Sequence, residues 1–178
     1  MARDRLVLVV MAAALLPGPM WAQSLPAGTR DMLVQSLEGD RALALSMIDS
    51  MPARLLRFRP TTDVRDFAQQ IDHVASNAVF LVSRFVLDAP PPGIGDSTAY
   101  LNDKDALAAA VTTAFEFCLN EVRGLPDHRL LQPTRIFGND VPRWRVFMMV
   151  HSHDVWTMGQ LVDYFRLNGM PPPAFGAF

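Results

Sequence analysis

The run HSHDVWTMGQLVDYFRLNGMPPP, His151–Pro173, decides the fold class of this chain of 178 residues. In this run and in the residues before it, apolar side chains recur every three or four positions around most of the helical circumference. That pattern predicts a long helix surrounded by other helices. We expect it to extend over about Val141–Asn168, with Asp140 as its N-cap and Gly169 at its C-terminal cap.

This helix also has a narrow polar strip, which is predicted to face solvent. The strip contains Arg145, Ser152, Gly159, Asp163 and Arg166. Almost all other positions are apolar, including Trp156, and are predicted to be buried. His153, Asp154, Thr157 and Gln160 interrupt the buried arc. Unpaired polar groups there would cost roughly 1–3 kcal/mol each, so these four need partners and are the best candidates for function.

Three earlier segments have the same period and are separated by loops rich in proline and glycine. They are predicted to run from about Thr29 to Ser50, from about Thr62 to Leu87 and from about Asp103 to Arg123. Thr62 or Asp63 is the expected N-cap of the second helix and Asn102 that of the third. Residues 124–139 are predicted to form a loop with a short turn of helix. No strand or hairpin signal is present, so we predict an all-α fold, an antiparallel four-helix bundle.

The N-terminus has the pattern of a secretory signal peptide. Two arginines precede an apolar run from Leu6 to Leu16, and Ala22 ends a stretch suited to cleavage. The apolar run is short for a membrane span. Residues 1–22 are therefore predicted to be removed on export, with an uncleaved anchor as the alternative. Residues 23–178 are expected to form a single domain, periplasmic or secreted, with no stable membrane span.

Charge and cysteine content exclude several classes of function. The chain has 16 basic and 18 acidic side chains and no long basic run, which argues against a nucleic-acid partner. Its single cysteine, Cys118, cannot form an internal disulfide. Because Cys118 lies among apolar residues in AFEFCLNEV, we expect an inert core thiol rather than a nucleophile.

The histidines differ in what their spacing allows. His153 and Thr157 are four residues apart and lie on one helix face, the spacing at which a helix offers two ligands to one metal ion. His151 points about 200° away from His153 and is predicted to be incidental to any site. His73 lies opposite the apolar stripe of the second helix. Either it is an exposed residue on a solvated face, or it lines a polar cleft that faces His153. His128 is expected at the surface.

The order FRPTTDVRDFAQQIDHVASNAVFL, a proline-rich loop, a third amphipathic helix and then HSHDVWTMGQLVDYFRLNGMPPP resembles the DinB-like family. This is a bacterial family of four-helix bundles, and the resemblance covers about residues 28–173. It implies a site for a divalent metal such as Zn²⁺, Ni²⁺ or Mn²⁺. Its ligands in the family are a histidine from the second helix and an H-x-x-x-H pair on the last, with water completing the shell.

Carried over by position, the resemblance assigns metal ligands to His73 and His153, while the third ligand position falls on Thr157. Asp154 and Gln160 are expected to orient the ligands from outside the coordination shell. Because a hydroxyl is a poor ligand for these metals, the resemblance implies a weak or altered metal site.

Three functions therefore stay open. Characterised relatives include metal-dependent transferases and isomerases that use low-molecular-weight thiols, so transferase or hydrolase chemistry is one expectation. A non-catalytic bundle that binds a small ligand or forms a homodimer is the second. The third is a purely structural hydrogen-bond network around His153, Thr157 and Gln160.

Overall fold

The computed structural model describes residues 24–174, so the predicted signal peptide lies outside the described residues. In chain order the elements are α1 (Thr29–Ser50), a 3-10 turn (Ala53–Leu55), α2 (Phe67–Val82) continued by a π-helical turn (Ser83–Leu87), α3 (Ser97–Tyr100), α4 (Lys104–Gly124), α5 (Asp127–Leu131), β1 (Pro133–Ile136), β2 (Asn139–Pro142) and α6 (Trp144–Leu167). The all-α bundle is confirmed, and α5 is the short helical turn predicted in the loop.

The four long helices form a ring in which each packs against two neighbours. α1 packs against α4 and α6, and α2 packs against the same two helices. α1 and α4 are antiparallel. At one end Lys104 donates to the backbone carbonyl of Asp49 at 2.7 Å, and at the other Arg30 donates to that of Leu125 at 2.8 Å. α2 and α6 are also antiparallel, and the cleft between them contains the polar residues of interest.

Apolar side chains from all four helices fill the centre of the ring. The largest fully buried ones include Phe67, Phe115, Phe147, Phe165, Leu33, Leu37, Leu107 and Leu119. Phe67 and Phe165 join α2 to α6 edge to face, with ring centroids 5.9 Å apart. Cys118 is fully buried, as predicted, and burial raises the pKa of its thiol. Among residues 24–174, no helix is long and apolar enough to cross a membrane.

The second helix begins later than predicted, at Phe67 rather than about Thr62. Its N-cap is Asp66, not Thr62 or Asp63. The Asp66 carboxylate accepts from the backbone N–H of Gln69 at 2.9 Å, and the Gln69 side chain accepts from the backbone N–H of Asp66 at 3.0 Å. This reciprocal pair satisfies two N–H groups that the helix itself leaves open, which is why the helix starts here.

Two further helix starts also differ from the prediction. Asp103, not Asn102, caps α4, because its carboxylate accepts a backbone N–H three residues further on. α6 begins at Trp144 because Asn139–Pro142 pairs with β1 in an antiparallel hairpin. Asp140 therefore lies in a strand and does not cap the last helix.

The hairpin is an element that the sequence did not predict. Ile136 pairs with Asn139 across a two-residue turn made by Phe137 and Gly138. Both turn residues have positive φ, 47° and 85°, as hairpin turns of this length require. Phenylalanine is rare in that conformation, so Phe-Gly lacks the usual turn signal.

The exposed face of α6 is wider than predicted. The five residues of the polar strip are exposed, as expected: Arg145, Ser152, Gly159, Asp163 and Arg166. Trp156 is 76% exposed, however, and Gln160 is exposed as well. The prediction that both lie in a buried arc is wrong, because α6 packs mainly against α1 and α2 among the long helices and leaves its remaining face to solvent. Its predicted end is confirmed, with Gly169 at φ 68°.

Candidate functional site

His73 of α2 and His153 of α6 face each other across the cleft between the two helices. Their Nε2 atoms are 3.2 Å apart, and the ring planes meet at 76°. Both side chains are half-buried. The sequence allowed His73 either to be exposed on a solvated face or to line a polar cleft that faces His153. The structure shows the second arrangement.

Thr157 adds a hydroxyl to this pair. It lies one turn after His153 on α6, is buried, and places Oγ1 3.5 Å from His153 Nε2. Two imidazole nitrogens from different helices and one hydroxyl therefore converge. The spacing of four residues brings His153 and Thr157 to one face, as predicted.

Asp154 orients His153 from the interior of the bundle. Its Oδ1 lies 3.2 Å from His153 Nδ1, so the ring can donate its Nδ1 proton there and present the Nε2 lone pair to the cleft. The other oxygen, Oδ2, is buried and has no hydrogen-bond partner among residues 24–174. Burial raises the pKa of the Asp154 carboxyl to about 7, against the opposing effect of the His153 hydrogen bond.

Gln160 contacts a different partner from the one expected. Its side-chain carbonyl accepts from Gln70 Nε2 at 2.9 Å, which links α6 to α2 one to two turns from the histidines. Gln70 is buried, so this amide pair satisfies a polar group that would otherwise be costly.

His151 points away from the His73–His153 pair, as predicted, and pairs with a buried carboxylate of α1. Its Nδ1 lies 2.9 and 3.0 Å from the two carboxylate oxygens of Asp40 on α1. Asp40 is buried, which raises the pKa of its carboxyl to about 6, while the hydrogen bond and charge of His151 act in the opposite direction. His128 is exposed, as expected.

A sequence signal for Asp40 exists. The residue interrupts the apolar stripe of α1 at helical spacing, between positions that are fully buried: Leu33, Leu37, Ala44 and Ile48. A carboxylate in such a stripe requires a partner from another helix. The sequence cannot identify His151 as that partner, because the pairing depends on how α1 and α6 meet.

Two clefts share Arg65 in their lining, and His73 lines the smaller of them. The larger, about 910 Å³, is lined by residues that include Asp63, Arg65, Gln70, Gln160, Tyr164 and Arg166. The smaller, about 330 Å³, is lined by His73 together with Arg65, Gln69, Asp72 and Ser76. Burial lowers the pKa of His73, and the positive charges of Arg65 and of His153 lower it further against the opposing charge of Asp72. A lowered pKa favours the neutral imidazole, the form that binds metals.

The spacing of the two nitrogens fits a shared divalent ion. An ion about 2.0–2.1 Å from both Nε2 atoms would subtend an N–metal–N angle of about 100°, close to tetrahedral or octahedral geometry. The set of strong ligands is incomplete. Among residues 24–174, no group of three or more His, Cys, Asp or Glu side chains is placed to share one ion. The Thr157 hydroxyl, solvent or a bound molecule would supply the remaining ligands.

Comparison with known proteins connects this arrangement to a family. The model of the DinB superfamily matches residues 36–161, a range that includes both histidines and Thr157. The fold is similar to the crystal structure of a DinB-like protein from Bacillus cereus ATCC 10987, with a TM-score of 0.61 and 18% sequence identity. That alignment covers 83% of this chain and 97% of the other. No curated protein sequence matches the chain. Since the family match spans well over half of its length, the chain belongs to the DinB superfamily.

Proposed function

We propose that this chain is an exported DinB-like domain that binds a divalent metal ion through His73 and His153, at a site open to small molecules. The observation that carries the proposal is the 3.2 Å separation of the two Nε2 atoms, which come from different helices. Zn²⁺, Ni²⁺ and Mn²⁺ are the candidate ions, and the binding is expected to be weak because only two ligands are imidazoles.

The surroundings of the two rings support a metal site over a simple ring-to-ring contact. Asp154 holds Nδ1 of His153, the arrangement found around most metal-binding histidines. The lowered pKa of His73 favours a second neutral ring. Two neutral imidazoles can instead share one N–H···N hydrogen bond, which requires no ion. Metal affinity distinguishes a shared ion from this direct hydrogen bond.

A metal ion bound here would supply a Lewis acid with open coordination positions, which suits transferase or hydrolase chemistry. The chain's own residues would position the reacting molecule. Asp154 fixes the orientation of His153, and the Gln70–Gln160 pair forms part of the wall of the larger cleft. The volume of that cleft, about 910 Å³, is in the range of sites for small organic molecules.

A second function, non-catalytic binding of a small ligand, is favoured by one observation. Thr157 occupies the place from which a third imidazole would complete the ligand set, and its Oγ1 is 3.5 Å from His153 Nε2, a long contact. In that case the smaller cleft binds a ligand without metal chemistry, and His73 is part of its wall.

The test is metal affinity, measured by calorimetry and by elemental analysis of purified protein that begins at Gln23. We expect saturable Zn²⁺ or Ni²⁺ binding at one site in the wild type, its loss in His153→Ala, and at least tenfold tighter binding in Thr157→His. His128→Ala is the matched control, since that histidine is exposed and outside the cleft. If the wild type binds no metal and Thr157→His does, the non-catalytic function replaces the first.

Export is a separate part of the proposal and has its own test. It is supported by the charged, apolar and small-residue segments of residues 1–22. We expect the protein recovered from the periplasm or medium of an expressing bacterium to have an intact mass that begins at Gln23. Protein that keeps Met1 and remains in the cytoplasm or membrane would contradict export and leave the metal site unaffected.

A further inference from the structure

Arg65 has an unusual position at the junction of the two clefts. It lines the larger cleft together with Tyr164 and the Gln70–Gln160 pair, and it lines the smaller cleft together with His73. A molecule bound in either cleft would therefore lie beside this guanidinium.

The side chain of Arg65 is available for a ligand. Within residues 24–174, its guanidinium forms no hydrogen bond or ion pair, whereas its neighbours Arg57 and Arg59 both pair with Asp66. An exposed arginine without a partner is common in itself. Arg65 differs because its position is shared by two concave surfaces and is close enough to His73 for its charge to act on that ring.

The backbone of Arg65 is fixed although its side chain is not. Tyr164, buried on α6, donates its hydroxyl to the Arg65 carbonyl at 2.6 Å. The next residue, Asp66, is fully buried and caps α2. A fixed backbone reduces the conformational entropy that binding would otherwise cost, so the guanidinium is presented to the cleft from a rigid base.

We propose that Arg65 binds the carboxylate of a small organic anion that occupies the larger cleft, beside the Gln70–Gln160 pair. A guanidinium offers two parallel N–H donors that match the two oxygens of a carboxylate. The inference rests on the proposed function, because it assigns a substrate class to the same cleft.

The other charges of the larger cleft favour a singly charged ligand. Asp63 and Asp163 line it as well, and Arg166 lies 3.8 Å from Asp163, so its charge is largely offset. Because Asp163 and Arg166 offset each other, Asp63 is the remaining negative charge of this lining, and it repels a doubly charged phosphate more strongly than a monocarboxylate.

The experiment uses metal-free protein and follows the side-chain amide signals of Gln70 and Gln160, which line the larger cleft in every variant, by ¹⁵N NMR during titration with butyrate, butyramide and inorganic phosphate. We expect saturable binding of butyrate, at least tenfold weaker binding of butyramide, and at least tenfold loss of butyrate affinity in Arg65→Gln. Arg84→Gln is the matched control, because Arg84 is an exposed arginine that follows α2 and lines neither cleft. Its butyrate affinity should equal that of the wild type.

Butyramide binding as tight as butyrate, or an equal loss in Arg84→Gln, would overturn the inference. Tighter binding of phosphate than of butyrate would overturn the assignment of a carboxylate. Zn²⁺ affinity of Arg65→Gln, measured in parallel, separates this inference from the proposed function. If the wild type binds Zn²⁺ but not butyrate, the role of Arg65 is contradicted and the metal site is unaffected. If it binds butyrate but not Zn²⁺, the metal site is contradicted and the role of Arg65 is unaffected.

Discussion

Asp40 and Asp154 are two buried carboxyl groups that approach histidines of α6 from inside the bundle. Each is less than one-tenth exposed and each has one imidazole partner, His151 and His153 respectively. Burial raises the pKa of both carboxyls toward neutrality, and their histidine partners oppose this shift. At the scale of single residues, both histidines of α6 are therefore paired with buried carboxyl groups. The Asp154–His153 pair adjoins the contact with His73, and the Asp40–His151 pair joins α1 to α6.

Asp40→Asn should change how stability depends on pH. The pKa of Asp40 is about 6 in the folded protein and near 3.8 when unfolded, so between these values the folded state holds a proton that the unfolded state lacks. Stability contributed at this position is therefore present at low pH and is lost as pH rises from about 4 to about 6. We expect wild type to lose on the order of 2 kcal/mol relative to Asp40→Asn over this range.

Urea unfolding of both proteins at several pH values between 4 and 8 measures this difference. His151 can still donate to the asparagine carbonyl, so the hydrogen bond is preserved in the variant. A stability difference that is constant with pH would contradict the buried carboxyl as its cause.

Asp154→Asn should weaken metal binding without removing a ligand. The neutral amide no longer favours the Nδ1–H tautomer of His153 as strongly, and loss of such a partner typically costs 10–100-fold in metal affinity. Calorimetric titration with Zn²⁺ measures the effect. Asp163→Asn, an exposed change on the same helix, should leave the affinity unchanged, and an equal loss in both variants would point to long-range charge instead.

At the scale of elements, the start of α2 determines where His73 and Arg65 lie. Asp66 has four interactions here. Its carboxylate accepts the backbone N–H of Gln69 and pairs with Arg57 at 2.9 Å and Arg59 at 3.3 Å, and its own backbone N–H donates to the Gln69 side chain. Arg65 lies immediately before this cap and His73 lies about two turns after it, so the cap fixes where the chain leading to Arg65 joins the helix that contains His73.

Asp66→Ala should lower the free energy of unfolding by about 2 kcal/mol, because it leaves helical N–H groups unsatisfied and removes the partner of two arginines. Thermal unfolding followed by circular dichroism measures this. Asp63→Ala is the control, since Asp63 is exposed and does not cap the helix, and its effect should be within about 0.5 kcal/mol. Equal destabilisation by the two variants would mean that the helix starts earlier than Phe67.

At the scale of the whole molecule, one core joins all four long helices, so the described chain should unfold as a unit. Phe67 and Phe165 are both fully buried and connect the start of α2 to the end of α6. We expect Phe67→Ala to cost about 3–5 kcal/mol and Leu167→Ala, at a side chain that is 63% exposed, to cost little. Circular dichroism and tryptophan fluorescence should give coincident transitions, and separate transitions would contradict a single core.

Much of this molecule follows from its sequence, and the failures have identifiable causes. Periodicity located the four long helices, because an amphipathic helix must bury its apolar face. The cap of α2 was missed although Asp66 and Gln69 have capping-box spacing, since two other candidate caps precede them. The hairpin was missed because Phe137 occupies a backbone conformation that its residue type disfavours.

Part of the candidate site likewise follows from the sequence, and part of it depends on how the helices pack. Spacing on one helix could place His153 and Thr157 on a common face, and it could exclude His151 from that face. It could not show that His73 lies 3.2 Å from His153, because that distance depends on how two helices pack. Of the sequence arguments, only the resemblance to a family places His73 and His153 in one site. Neither helix spacing nor the resemblance identifies Asp40 as the partner of His151.

The central claim is that one divalent ion is shared by His73 and His153. Its most direct test is a crystal structure of the protein grown with Zn²⁺, with anomalous diffraction recorded on both sides of the zinc absorption edge. We expect a zinc peak between the two rings, about 2.0–2.1 Å from each Nε2, with Thr157 beside it. Nε2 atoms that remain in direct contact with no zinc peak between them, at millimolar Zn²⁺, would contradict it.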